Sequence, residues 1–240
     1  MTSEGSLADR VHDRLLAELL EGTWAANDSL YIPQIAAQFG VSQTPVREAL
    51  ARLEHTGLVH RQAHRGYRIA PLLTDEEIAL LYDSRLVIEP ELVYLATRRR
   101  TPEFLAELGG LVAALASVAG KADSASFRVY WTTDDRYHVA IAEQAGNPFL
   151  LSAYRSLGTR IQRFRLVARR GLITTRNVST SAATEHREIL QAIEAGDPVV
   201  AADLMTSHIT RARVRLIGDD PDWVRPLRAS RHGARQATVE

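Results

Sequence analysis

Four side chains able to share one metal ion are spread through the second half of the sequence: Asp134, His138, His186 and His208. Asp134 and His138 are four residues apart, so on a helix of about 3.6 residues per turn they lie on one face, ~40° apart, and both can reach one ion. His186 stands ten residues before Gly196 and His208 twelve after it. At a rise of about 1.5 Å per residue they sit ~15 and ~18 Å from that turn, level with each other in an antiparallel helical hairpin. Three imidazoles and one carboxylate make a reasonable ligand set for Zn²⁺, with Ni²⁺, Mn²⁺ or Fe²⁺ also admitted. Each histidine alone reads more readily as a hydrogen-bonded or solvated side chain. Their joint register is what points to a metal.

A second group lies near the N-terminus. Val41-Ser42-Gln43-Thr44-Pro45-Val46-Arg47 opens a helix with Pro45 in its first turn, so Ser42, Gln43, Thr44, Pro45 and Arg47 gather at a helix N-terminus as candidate DNA-binding residues. Backbone N–H groups and a partial positive charge there favour phosphate, and these side chains can reach base edges.

The elements that must position these groups fall into two parts. Leu7 to Glu21 is amphipathic, with Val11, Leu15, Leu16 and Leu19 on one face; a turn at Ala26-Asn27-Asp28 leads to a short helix over Ile32 to Phe39, ended by Gly40. After the helix carrying Arg47, Leu58 to Ile69 alternates and is interrupted at His64-Arg65-Gly66, which predicts a β-hairpin. Helix, Gly turn, helix, hairpin is the order of a winged helix-turn-helix, whose second helix enters the major groove. From Pro71 onward the pattern is helical. Thr74-x-x-Glu77 is a capping box opening a long helix. Further helices are predicted from Pro102 to about Gly120, from Asp123 to Gly146, from Asn147-Pro148 to near Gly171, from Ser179–Ser181 to Gly196, and from Asp197-Pro198 to Gly218. The fold class is mainly α: a winged helix-turn-helix over residues 1–72, an antiparallel helical bundle over 73–218, and a tail over 219–240 without apolar periodicity, expected to be mobile.

Composition sets limits on the rest. Apolar residues make up 45% and charged residues 24%, as in an average globular protein. No apolar run approaches the ~18–20 residues a bilayer needs, and the N-terminus lacks a basic segment followed by an apolar stretch, so a cytoplasmic location and no membrane partner are expected. Cysteine is absent, leaving only His and carboxylates to hold a metal. Lys plus Arg equals Asp plus Glu at 29 each, which argues against indiscriminate coating of nucleic acid. Residues 41–70 are nevertheless basic, with Arg47, Arg52, Arg61, Arg65 and Arg68 against Glu48 and Glu54, and Lys121 is the only lysine. Arginine is the side chain suited to bidentate reading of phosphate and guanine.

The run from Phe39 to Val59, followed by Arg65-Gly66-Tyr67, resembles the DNA-binding domain of the GntR family of bacterial transcriptional regulators. The resemblance implies phosphate and base contacts from Ser42, Thr44 and Arg47, with Arg65 and Gly66 at a wing tip entering the minor groove. Gln43 stands where the family usually has Arg, so the resemblance implies that a guanine contact is either lost or replaced by one to adenine, which Gln suits. Asn27-Asp28 replaces the usual Pro-Gly.

The stretches around Asp134–Pro148, Glu185–Pro198 and Ala201–His208 are similar to the effector-binding FCD domain of the FadR-type subgroup. In members that bind metal the ligands match Asp134, His138, His186 and His208. Asp135 is a competing carboxylate, three residues from His138 and out of the family register. Arg85 matches an arginine on the first bundle helix and is the candidate contact to a small organic acid; its alternative is a surface ion pair with Glu89 at i,i+4. The arginines at 160, 163, 165, 169 and 170 could add to that pocket, though a solvated helix face accounts for most of them. The resulting expectation is a homodimeric regulator, in the family's commoner mode a repressor, on a palindromic double-stranded operator and modulated by a small carboxylate effector. The alternative is a metal-dependent enzyme in which the His₃Asp site activates water, with Glu143 or Glu185 as base.

Overall fold

The computed structural model describes residues 6–20, 23–62, 66–121, 123–158 and 176–218. The chain divides into two compact units, the described residues 6–73 in one and 74–218 in the other.

In the first unit, α1 (Leu7–Leu20) buries Val11, Leu15 and Leu19 against α3 (Gln43–His55), whose Val46, Leu50 and Leu53 are the apolar positions of the i, i+4, i+7 pattern. Each such side chain contributes about 1.5–3 kcal/mol on burial. Between them α2 (Ile32–Phe39) carries Pro33 in its first turn, where no backbone N–H is needed, and stops at Gly40. Gly40 adopts φ 67°, a left-handed conformation that lets its N–H and the next return to the last carbonyls of the helix. The hairpin forms as β2 (Val59–Gln62) and β3 (Gly66–Ile69), in the register Val59 to Ile69 and Gln62 to Gly66. One strand is additional to the sequence expectation. The residues β1 (Ser29–Leu30), after the turn at Asn27, pair antiparallel with β3, giving the order β1-β3-β2.

Every regular element among the described residues of the second unit is a helix. α4 (Asp75–Arg98) opens on the capping box: Glu77 N–H donates to Thr74 Oγ1 at 3.1 Å and Thr74 N–H to Glu77 Oε2 at 2.8 Å. It passes through Pro90, which supplies no N–H to the carbonyl of Leu86. α5 (Pro102–Val118), α6 (Ser124–Gln144) and α7 (Pro148–Ser156) follow, capped by Thr101, Asp123 and Asn147. α8 (Arg176–Ala195) and α9 (Pro198–Ile217) are joined through Gly196 and the cap Asp197. α9 packs most extensively on α4 and also on α8, while α5 packs on α6 and α8.

Two helix boundaries differ from the sequence reading. α7 stops at Ser156, followed by Gly158 at φ 53°, instead of running to Gly171; the remainder of that span lies outside the described residues. α8 begins at Arg176, so the Ser179–Ser181 cluster is helix interior and not a cap. Hydroxyl side chains are accommodated there by bonding back along the helix, as Thr184 Oγ1 does to the Thr180 carbonyl at 3.4 Å. The tail over 219–240 and Arg65 also lie outside the described residues, as do the arginines from 160 to 170. Among the described residues no helix is long and apolar enough to cross a membrane.

Candidate functional site

The four chemistry-bearing residues of the second unit converge. Asp134 and His138 project from adjacent turns of α6, His186 from α8 and His208 from α9, and one donor atom from each lies within 4.8 Å of all the others. All four are buried. The imidazole centroids are 4.6 Å apart for His186 and His208, 5.3 Å for His138 and His208, and 5.6 Å for His138 and His186. Asp135 is not in the cluster.

What orients the rings is a set of acceptors behind them. His186 Nδ1 is 2.6 Å from the carbonyl of Ala182, one turn earlier on its own helix. A carbonyl only accepts, so the proton is on Nδ1 and the lone pair on Nε2. That Nε2 is buried and lies 3.1 Å from Asp134 Oδ1. Two electron-rich atoms facing each other at that distance suit a shared cation. His208 Nδ1 is 2.8 Å from Glu185 Oε2, and His138 Nδ1 is 2.6 Å from Glu89 Oε2. The same argument assigns their lone pairs to Nε2. Burial, together with neighbouring His186, pushes the pKa of His208 down to about 3, while Glu185 only partly opposes this. A neutral ring is what a metal requires. Tyr137 braces the site: its hydroxyl donates to the His186 carbonyl at 3.2 Å and its ring meets the His186 ring edge-on. This donor set can hold a metal ion.

The acceptors are themselves held. Arg215 donates to both oxygens of Glu185, at 2.8 and 3.0 Å. Burial raises the Glu185 pKa, but the His208 and Arg215 hydrogen bonds outweigh it and hold the carboxyl down at about 2. Arg85 Nε donates to Glu89 Oε1 at 2.5 Å and its Nη2 to Oε2 at 3.4 Å. Burial opposes the charge on both partners, yet Arg85 and His138 keep Glu89 ionised well below the usual carboxylate range. The guanidinium also lies over the Tyr82 ring, 4.9 Å from its centroid. The i,i+4 pairing of Arg85 with Glu89 is therefore present, but both side chains are buried instead of lying on the surface. Sequence reasoning missed Glu89 as the support of His138 and weighed Glu185 only as a base, because each carboxylate backs a histidine on a different helix. Neither Glu143 nor Glu185 is placed as an enzymatic base, since Glu143 is exposed and paired with Arg136 and Arg155 and Glu185 is locked by Arg215.

In the first unit, Ser42 is the extended residue preceding α3, and its side chain makes no capping bond. Ser42, Gln43, Thr44 and Arg47 are exposed, with Arg47 Nη2 donating to Gln43 Oε1 at 3.2 Å. Pro45, in the first turn of α3, is buried with Val46. Gly66 begins β3 at φ 82°, a conformation that glycine tolerates. Arg52 is taken up by an ion pair with Asp9 of α1 at 2.5 Å.

Comparison with known proteins agrees with both halves. Residues 7–69 match the model for bacterial regulatory proteins of the gntR family, and residues 80–211 match the FCD domain. A probable D-xylose utilization operon transcriptional repressor of Paenarthrobacter nicotinovorans is 30% identical over 85% of this chain and 86% of its own length. A putative L-lactate dehydrogenase operon regulatory protein of Escherichia coli is 28% identical over 94% and 92%, and a gluconate operon transcriptional repressor of Bacillus licheniformis 25% over 81% and 79%. Among solved structures, E. coli McbR/YncC shares the fold with a TM-score of 0.72 at 21% identity, covering 88% of this chain and 97% of that one. The chain belongs to the GntR family of bacterial regulatory proteins, DNA-binding transcriptional regulators that here carry an FCD domain behind the winged helix-turn-helix.

Proposed function

We propose that this regulator is a cytoplasmic, homodimeric repressor of a palindromic operator, and that a small organic acid bound beside a metal in the bundle modulates its hold on DNA. The observation that carries the proposal is the convergence of Asp134, His138, His186 and His208, each imidazole backed at Nδ1 by an acceptor. Nitrogen and carboxylate donors in this number favour Zn²⁺, with Ni²⁺, Mn²⁺ or Fe²⁺ as the alternatives. When bound, the ion supplies a Lewis-acidic position for a carboxylate oxygen. The protein's own part is to keep three neutral rings turned inward and to present Arg85, whose Nη1 lies outside the pair with Glu89, to the acid. Two of the relatives are named for operons of L-lactate dehydrogenase and gluconate, which supports a small hydroxy acid.

On the DNA side, Ser42, Gln43, Thr44 and Arg47 read the major groove from the N-terminus of α3, and Arg65 with Gly66 forms the wing contact. A dimer supplies the second reading head that one small unit lacks. The DNA-binding part spans residues 1–72 and the sensing part 73–218. α4 is the link in sequence, since only five residues separate it from β3, and it carries both Arg85 and Glu89. Acid binding shifts the population between two arrangements of the bundle helices. The test is operator binding by metal-loaded protein during titration with small carboxylic acids, repeated with His186→Ala. Wild type releases the operator with at least one acid and the variant responds to none. An equal response of the two sinks the metal-sensing reading.

A further inference from the structure

The buried chain Arg85–Glu89–His138 does more than hold a ring. Glu89 is shared: Oε1 and Oε2 accept from Arg85 at 2.5 and 3.4 Å, and Oε2 also lies 2.6 Å from Nδ1 of His138. Both partners are only 3% exposed, so solvent hardly screens their charges. Any carboxylate that approaches Arg85 beside the metal therefore meets a guanidinium whose charge is already cancelled by a fixed anion. Among the described residues, the neighbouring carboxylates also face arginines: Glu185 takes two bonds from Arg215 with Arg211 at 3.8 Å, and Asp83 pairs with Arg213. With neutral imidazoles, a divalent ion and the single carboxylate of Asp134 leave a ligand set of net charge +1.

We infer that Glu89 is a specificity-determining residue that sets the charge of the effector: by neutralising Arg85 it restricts the site to acids bearing one carboxylate and excludes isosteric dicarboxylates. The inference rests on the proposed carboxylate site and adds the class of acid it takes. One carboxylate balances the metal centre. Among the described residues, a second carboxylate beside Glu89 would be buried without a free counter-charge on Arg85, which is costly where both members of the pair are 3% exposed. The remainder of the effector is accordingly neutral, with hydroxyl or alkyl groups.

The test uses the full-length, metal-loaded protein and two acids of nearly equal shape, 2-hydroxybutyrate and malate, which differ by a methyl group against a second carboxylate. Affinities are measured by calorimetry, with metal content checked afterwards because dicarboxylates can strip metal. Wild type is expected to prefer 2-hydroxybutyrate. Glu89→Gln, which keeps an acceptor for His138 while removing the charge, is expected to move the affinity ratio toward malate by at least about tenfold. The double variant Arg85→Gln/Glu89→Gln removes both charges and is expected to bring the ratio back toward wild type. A purely structural role for Glu89 would weaken both acids alike, so an unchanged ratio in Glu89→Gln overturns the inference while leaving the carboxylate site standing. Wild type binding malate better overturns it as well. Failure of every acid to bind any of the three proteins overturns the carboxylate reading and this inference together.

Discussion

Replacing Glu185 tests whether the carboxylates behind the imidazoles matter to the metal. Glu185 does three things at once: it accepts from His208 Nδ1 at 2.8 Å and receives two bonds from Arg215 at 2.8 and 3.0 Å. Glu185→Ala leaves the His208 ring free to turn or to place its proton on the wrong nitrogen. Loss of such an outer partner costs about 10–100-fold in metal affinity, or ~1.4–2.7 kcal/mol. Because Glu185 fixes His208 while itself being clamped by Arg215, the alanine variant belongs near the upper end. Glu185→Gln, whose amide oxygen can still accept, belongs near about tenfold. Folding suffers less: Arg215 is 19% exposed and can turn to water, so the loss stays at about 1–3 kcal/mol, small enough for the fold to survive. The assay is competition with a chromogenic chelator, with circular dichroism confirming helix content. Glu143→Ala is the control, since Glu143 is 38% exposed and its pairs with Arg136 and Arg155 are worth no more than ~1 kcal/mol. Undiminished metal affinity in folded Glu185→Ala, or an equal loss in Glu143→Ala, would refute the reasoning.

Arg47→Ala should weaken operator binding by about 1–3 kcal/mol while metal content stays at the wild-type level, measured by electrophoretic mobility shift at fixed salt alongside elemental analysis; parallel loss of both would mean a folding defect. Gly146→Ala should destabilise by about 1–3 kcal/mol in thermal melts, because Gly146 sits at φ 62° and a β-carbon there would run into the Arg99 guanidinium, which bonds the Ala145 carbonyl. Gly110→Ala, in the exposed middle of α5 with open space around it, should instead stabilise by about 0.5–1 kcal/mol. Melting shifts of the same sign in the two glycine variants would contradict the backbone argument.

The local signals in the sequence were reliable where one residue type has one job. Thr74 with Glu77, Asp123, Asn147 and Asp197 each cap the helix they announce. The four metal-site candidates were legible because their register depends only on helical rise and a Gly turn. What escaped depends on contacts between distant segments. β1 is two residues long and exists by pairing with β3, so no local alternation marks it. Ser179–Ser181 carry the composition of a cap, yet the tertiary packing of α8 continues the helix past them. Arg85 and Glu89 look like a surface pair on α4 from spacing alone. Their burial follows from the packing of α4 against α6, α8 and α9, which also brings His138 to Glu89. Elsewhere in the described bundle, too, a buried or half-buried arginine is matched to a carboxylate, as Arg213 is to Asp83 and Arg215 to Glu185.

The proposed regulation requires that Asp134, His138, His186 and His208 together hold one ion. Its most direct test is the metal-to-protein ratio, by elemental analysis, of purified wild type and of His186→Ala after equal exposure to Zn²⁺, Ni²⁺, Mn²⁺ or Fe²⁺ and desalting. The expected result is about one tightly held ion per wild-type chain and none in the variant, with helix content unchanged. Wild type that retains none of the four metals, or a variant that retains as much as wild type, would contradict the account.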